Sequence, residues 1–255
     1  QGAHPLALLP RRAAGRGGYE FEPGRIRRIR IAGKRRDVYS FRLTDRVVHA
    51  VAAEVVEEAS QPLLSPRLFS YRRGVSWADA VRSFAAYVRA RERERPDPHT
   101  RGLHVLRRDI DSYTDSIPVH PGSPLWRQLT GLFGGFGAVD SPAWPTLEEV
   151  VRPRVLWPEG GPLRLLRGVP TGQPIACVLF NLYLHELDRK LSSIAGGYYA
   201  RYSDDILFAH PDPGPAEEAA RIIEAEAAGL ELRLKVGKSR DLFLNRAARP
   251  SPAGT

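Results

Sequence analysis

Two adjacent carboxylates stand in the middle of an apolar run. Tyr198 to Ala209 reads YYARYSDDILFA, two short strands with Ser203, Asp204 and Asp205 near the turn between them. Neighbouring negative charges flanked by Ala200, Tyr202, Ile206, Leu207 and Phe208 repel one another and resist desolvation unless a cation lies between them. A divalent metal meets that need. Mg²⁺ takes oxygen ligands at about 2.1 Å and commonly bridges carboxylates to phosphates. The plain alternative is an Asp-Asp turn in water, and a bare dipeptide would favour it.

Asp109 changes the weighting. It ends an apolar strand, LHVLRRD, so a second strand would bring a carboxylate beside the hairpin's pair. Two ions about 3.5 to 4 Å apart would then be held jointly, one activating a 3′ hydroxyl and one steadying a leaving pyrophosphate. Asp111 and Asp115 compete for the role, since alternation leaves Asp111 on the side of Asp109; both are read as structural or solvent-facing.

The surrounding pattern is that of a mixed α/β chain. RIRRIRIAGKRRDVYSF predicts a hairpin with a basic Gly-Lys-Arg-Arg tip. Thr44 is placed to cap a helix carrying Val47, Val48, Val51, Val55 and Val56, with Gln61-Pro62 as its stop. A second helix is expected from a Ser76 cap to the break near Pro96. GLHVLRRDIDSYTDSI follows as a strand and a short turn or helix. Residues 118–162 are rich in proline and glycine and are expected to be a variable connection. CVLFNLYLHELDRKLSS predicts one strong helix, and the segment ending at Gly229 another. Leu230 to Leu244 reads as strand or hairpin. The order gives an α/β (α+β) sandwich, an antiparallel sheet with helices on one face. By segment, the chain divides into an arm (1–25), a region 26–100, a region 101–245 that includes the connection 118–162, and a frayed tail (246–255).

The formal net charge is +9, which favours a polyanionic partner. The excess lies early: residues 1 to 108 hold 23 Lys/Arg against 11 Asp/Glu, and the rest hold 15 against 18. Cys177 is the only cysteine, so no intrachain disulfide framework or thiolate cluster is available, and a reducing, intracellular, cytoplasmic setting fits. No run of 18 apolar residues exists, so no membrane span is expected. The histidines lack ligand-like spacing and are assigned no metal. Methionine is absent, even at position 1, which points to a processed or trimmed chain.

DIDSYTDSI resembles the first catalytic motif of reverse transcriptases, and RYSDD resembles their Tyr-x-Asp-Asp box. Between them, GVPTGQPIACVLFNLYLHELD is similar to the family's Pro-Gln-Gly loop and helix. After them, GLELRLKVGKS is similar to the next motif, with its lysine at Lys238. LTDRVVHAV and LFSYRRGVSWADAV resemble the fingers segments of bacterial relatives from introns, retrons and phage-defence systems. The likeness spans about residues 30 to 245, and its specificity lies in four motifs in order.

The resemblance implies a right-hand palm and fingers, with 26–100 as fingers and 101–245 as palm, and an RNA-directed DNA polymerase. Asp109 and Asp204 would be the main ligands of two Mg²⁺ ions, or Mn²⁺, with Asp205 and the Ile110 carbonyl completing the centre. Lys238 would orient the triphosphate or protonate pyrophosphate. Arg72, Lys34 and Arg36, with Arg35 beside them, would meet the nucleoside triphosphate, along with Tyr113, Thr114 and the loop residues Pro170, Thr171, Gly172 and Gln173. Tyr202, Ser203, Asn181 and Arg201 would contact an RNA or DNA template-primer.

Three departures stand out, the first of them in the loop and the helix after it. Thr171 fills the loop's usual glutamine position, offering a short hydroxyl in place of an amide. Ala176-Cys177 replaces the Ser-Pro that begins the following helix, removing a cap worth about 1 kcal/mol. Thr114 stands where the family has a large aromatic that excludes a ribose 2′ hydroxyl, so ribonucleotides are expected to be tolerated. Only about 17 residues follow Lys238, too few for the helical thumb of the family, so a thumb is expected from a partner or a missing segment, or else only short products. The competing readings are a nucleic-acid-binding or assembly protein that kept the fold with little catalysis, and a template-independent or ribonucleotide-adding polymerase. A cyclase or primase on a related palm is disfavoured by the fingers-like segment at 68–80.

Overall fold

A computed structural model of the chain describes residues 5–10, 19–31, 33–95, 97, 102–134, 139–157 and 160–245. The expected arm falls partly, and the expected tail wholly, outside the described residues. Two compact units are formed, each from two stretches of chain: Gln1–Leu63 with Ser112–Tyr183, and Leu64–Asp111 with Leu184–Thr255. Each carries a four-stranded sheet. These units follow contacts, whereas the segments inferred from sequence follow motifs; the two partitions have different bounds.

In the first unit, β1 (Gly24–Ile31) and β2 (Lys34–Ser40) pair antiparallel, Arg25 opposite Ser40 and Arg30 opposite Arg35. The expected hairpin is present, with a shorter turn: Lys34 to Arg36 belong to β2, and Gly33 takes a left-handed φ of 79°. β1 also pairs with β4 (Arg154–Leu156), and β4 with β5 (Pro162–Arg164).

Helix α1 (Leu43–Ser60) starts before Thr44 and lacks a side-chain cap, which corrects the expected Thr44 cap. Instead Asp45, fully buried in the first turn, accepts a 2.6 Å bond from the Tyr19 hydroxyl. Val48, Ala52, Val55 and Val56 form its buried stripe, while Val47 faces solvent.

The stretch 118–162 is a second correction, since two helices lie in it among the described residues. After the short α3 (Tyr113–Ser116) come α4 (Pro124–Leu132) and α5 (Trp144–Val151), each with a proline in its first turn. Proline there removes no needed N–H and presets φ, so Pro124 and Pro145 start helices instead of breaking them. Their buried Leu125, Leu129, Leu147 and Val150 contribute to this unit's core. α6 (Pro174–Tyr183) completes the unit and packs on α1.

The second unit is built on the sheet β6-β7-β3-β8, antiparallel throughout. Its strands are β3 (Leu103–Asp109), β6 (Tyr198–Tyr202), β7 (Asp205–His210) and β8 (Arg240–Leu244). α2 (Trp77–Glu94) begins at the expected Ser76, in a capping box with Asp79, and ends before Pro96. Its Ala80, Phe84, Tyr87 and Val88 pack on Leu103, Val105, Tyr198, Ala200 and Ala209. The alternate pleat set, Leu106, Ile206 and Phe208, is buried too. Over β3, β6 and β7 both pleat faces are therefore covered, where the sequence pattern put helices on one, while β8 is exposed along its length.

The single helix expected over CVLFNLYLHELDRKLSS is two helices. α6 ends at Tyr183 and α7 (His185–Ser192) begins after Leu184, at the boundary between the units. No proline or glycine marks the break. α8 (Pro213–Gly229) packs against β7, β3 and α7. No helix among the described residues is long and apolar enough to cross a membrane.

Candidate carboxylate centre

The antiparallel pairing of β3 with β7 sets Asp109 directly opposite Asp205. Asp204 sits in the two-residue turn between β6 and β7, and its carbonyl accepts the Ile110 N–H at 3.4 Å. Ser203, the other turn residue, adopts a left-handed φ of 57°. Asp109 is buried, while Asp204 and Asp205 are half-buried. The three residues named from sequence thus come together on two neighbouring strands of one unit. Asp111 is exposed; Asp115, also exposed, belongs to the other unit.

Cations already attend this cluster. Lys238 donates to Asp109 Oδ2 at 2.7 Å, and Arg107 donates to Asp205 Oδ1 at 2.9 Å. Both bases are held more firmly protonated by those bonds. Burial pushes the Asp204 carboxyl above its ordinary value, the charges of Asp109 and Asp205 push further, and Lys238 opposes them. Lys238 was named from sequence. Arg107 was not, although it lies two residues before Asp109 on the same pleat and alternation would have found it.

The donor chemistry fits a hard divalent ion, being oxygen throughout. In the geometry described, however, no group of three or more His, Cys, Asp or Glu side chains among the described residues is arranged as a metal site. Lys238 and Arg107 each take an oxygen of one of the three carboxylates. Both cations are about half exposed (47% and 52%), so either side chain has solvent to swing into.

Other residues of this unit divide sharply by exposure. Tyr202 is exposed beside Asp205, and with Trp77, Val81, Phe84 and Arg107 it lines a groove of about 480 Å³. Trp77 had no sequence signal beyond its place at a helix start. Arg72 is half-buried and spends Nη1 on the carbonyls of Ser65 and Leu68, at 3.0 and 3.2 Å. Arg201, expected at the primer, is fully buried and bonded to Asp188. That placement corrects the expectation, because a side chain with no exposed surface cannot reach a strand of nucleic acid. Ser203 is also buried, at 8% exposure.

In the first unit, the loop 168–173 is tied to β2. Thr171 Oγ1 donates to the Asp37 carbonyl at 3.1 Å, and the Tyr39 N–H donates to the Thr171 carbonyl at 3.4 Å. Gly172 has φ 96°, and a Cβ there would lie 3.2 Å from the Tyr39 carbonyl oxygen. Pro170 and Gln173 are buried, and neither Gln173 amide atom has a hydrogen-bond partner among the described residues. Helix α6 begins at Pro174, so Ala176 and Cys177 already lie inside it, and the expected loss of a cap at that pair does not arise.

Tyr113 is buried against Phe180 and donates to its carbonyl at 2.7 Å, so its phenol serves the core instead of a nucleotide. Thr114 is half-buried, with its hydroxyl 3.4 Å from Asp115 Oδ1. Asn181 is buried within α6. The side chains of Lys34, Arg35 and Arg36 lie outside the described residues.

An antiparallel sheet that presents carboxylates from a strand end and from the turn of a neighbouring hairpin defines a mixed α/β protein with an acidic centre. The chain belongs to the reverse transcriptase family: the family model described as Reverse transcriptase (RNA-dependent DNA polymerase) matches residues 32–247. Comparison with curated proteins found no match. Among solved structures, apo telomerase from Candida tropicalis aligns with TM-score 0.61 at 11% identity, covering 94% of this chain and 47% of that one. Telomerase from Candida albicans, solved with a TWJ fragment of telomeric RNA, aligns with TM-score 0.63 at 13% identity, over 91% and 43%. The likeness is one of fold. The chain spans about half the length of these structures.

Proposed function

We propose that this chain is a template-directed nucleotidyltransferase, an RNA-directed DNA polymerase of the bacterial intron, retron or defence type, with palm and fingers. The observation that carries the reading is the pairing of Asp109 with Asp205 across two strands, with the proton affinity of Asp204 raised by burial and by both neighbours.

The reaction joins the 3′ hydroxyl oxygen of a primer to the α-phosphorus of a nucleoside triphosphate, and the bond to pyrophosphate breaks. Asp109 and Asp204, with Asp205 and the Ile110 carbonyl, would hold two divalent ions. Bound there, Mg²⁺ would make the hydroxyl more acidic and neutralise charge on the leaving group. Tyr202, exposed beside Asp205, supports the primer end. Lys238, kept protonated by Asp109, carries a proton that the departing pyrophosphate can accept. Template and primer are RNA or DNA, drawn by the basic charge.

The test is primer extension with purified protein on RNA and DNA templates and without template, with dNTPs and rNTPs in parallel. Template-matched product that requires Mg²⁺ and disappears in Asp204→Asn is the expected result. Use of rNTPs would follow from the small Thr114. A protein that binds nucleic acid equally with and without Asp204, and extends nothing, would instead be the binding protein that the buried Arg201 and tethered Thr171 also permit.

A further inference from the structure

A buried ion pair lies directly behind the turn that carries Asp204. Asp188 on α7 and Arg201 on β6 have no exposed side-chain surface. Arg201 Nε donates to Asp188 Oδ1 at 2.6 Å and Nη2 donates to Oδ2 at 2.7 Å, a two-pronged contact. The Tyr199 hydroxyl adds a third bond to the same carboxylate, at 2.6 Å. The other arm of the guanidinium points the opposite way: Nη1 donates to the Ser203 carbonyl at 3.1 Å.

That carbonyl is half of the peptide plane joining Ser203 to Asp204, so fixing it fixes the direction in which the Asp204 residue leaves the turn. The turn needs such support. Ser203 holds a left-handed φ, a conformation that crowds the Cβ of a non-glycine residue. Its N–H donates to Ser70 Oγ at 2.9 Å, and the Tyr71 hydroxyl reaches its Oγ at 3.4 Å. Arg201 is itself clamped along its backbone, with its N–H donating to Arg67 and its carbonyl accepting from Phe69.

Stability alone does not explain an ionic device here, because a buried pair is often matched or exceeded by apolar residues of similar size. Apolar residues could not reach the Ser203 carbonyl. Lysine could not grip a carboxylate with two donors and a carbonyl with a third in one rigid plane. We propose that Arg201, held by Asp188, is a positioning residue: the pair is a brace that sets the Ser203–Asp204 peptide and thereby aims the Asp204 carboxylate. This inference rests on the polymerase reading for its consequence in catalysis, though not for the brace itself.

The test uses the whole chain and two variants. Asp188→Leu with Arg201→Leu removes both charges together and leaves no unpaired ion, so it is the form expected to fold. Arg201→Lys keeps one charge opposite Asp188 and removes the third arm. In each, amide hydrogen exchange at Ser203 and Asp204 should rise about ten-fold or more while exchange at Phe208 in the core of β7 stays at the wild-type rate. In primer extension, kcat should fall roughly a hundred-fold, the cost of about 1 Å of misplacement, with KM for nucleotide unchanged. A folded double variant with wild-type exchange at Ser203 and Asp204 overturns the brace. If the double variant does not fold, Arg201→Lys decides by the same comparison. If the wild-type protein extends no primer, the polymerase reading falls and the exchange comparison still settles the brace.

Discussion

At the residue scale, Asp204 carries a cost that the charge of Lys238 nearby does not remove. Burial holds its carboxyl above its ordinary value in the folded protein, so folding favours the protonated form. The stabilising contribution is therefore complete at pH values below the unfolded pKa and is lost as pH rises through the folded one. Asp204→Asn should melt higher than wild type at pH 7, and that advantage should vanish as the pH is lowered below about 4, where both states bind the proton. Thermal melts across that range check it, and an advantage that persisted in acid would mean the gain had another source. Gln173 makes a parallel case in the first unit. Its amide is buried with neither atom partnered among the described residues, so Gln173→Leu should stabilise the fold by about 1 kcal/mol in a urea titration. If the same variant extends primers poorly, the amide is kept for a ligand at the expense of stability.

At the scale of elements, what the sequence disclosed and what it hid have physical causes. The β1–β2 hairpin, the Ser76-capped helix, β3 and the Asp-Asp hairpin were legible because each combines a periodic apolar pattern with a local stop signal. The helices α4 and α5 were hidden because Pro124 and Pro145 look like breakers until their positions within the helix are known. The break at Leu184 has no local mark at all. Of the site, the three carboxylates and Lys238 were legible from motif spacing. The burial of Arg201 was hidden because an arginine next to an Asp-Asp turn looks exposed, and only the fold shows Asp188 beneath it.

Helix α1 hides one more consequence. His49 is buried between Phe21 and Phe41, 6.0 and 4.9 Å away by ring centre, and neither ring nitrogen has a partner among the described residues. Burial lowers its pKa to about 4, against the opposing charges of Asp45 and Glu149. A depressed folded value means stability is present above the ordinary histidine range and is lost as pH falls from about 6.5 towards 4, a loss on the order of 3 kcal/mol. His49→Leu should flatten that acid limb in urea titrations at pH 7 and pH 4.5. An unchanged limb would assign the acid sensitivity to other groups.

For the whole molecule, charge separates binding from chemistry. The chain carries +9 overall, and the excess lies in residues 1 to 108, whereas the acidic centre draws on Asp204, Asp205 and only one residue near that stretch, Asp109. Phosphate contacts release counterions, so the affinity for a primer-template duplex should fall linearly in log–log terms with added salt, with a slope of about −0.9 per phosphate neutralised. Asp204→Asn removes one negative charge from the acidic centre and none of the basic groups. Its salt slope should therefore match wild type within error in fluorescence anisotropy, with affinity equal or slightly higher, while Mg²⁺ raises the melting temperature of wild type and not of the variant. The two readouts answer different questions. A shared slope with a lost Mg²⁺ effect assigns nucleic-acid capture to the basic surface and ion binding to the carboxylates. A slope that changes with Asp204 would mean that nucleic acid itself reaches the turn without a metal, and the acidic centre would then be part of a binding surface before it is part of a reaction.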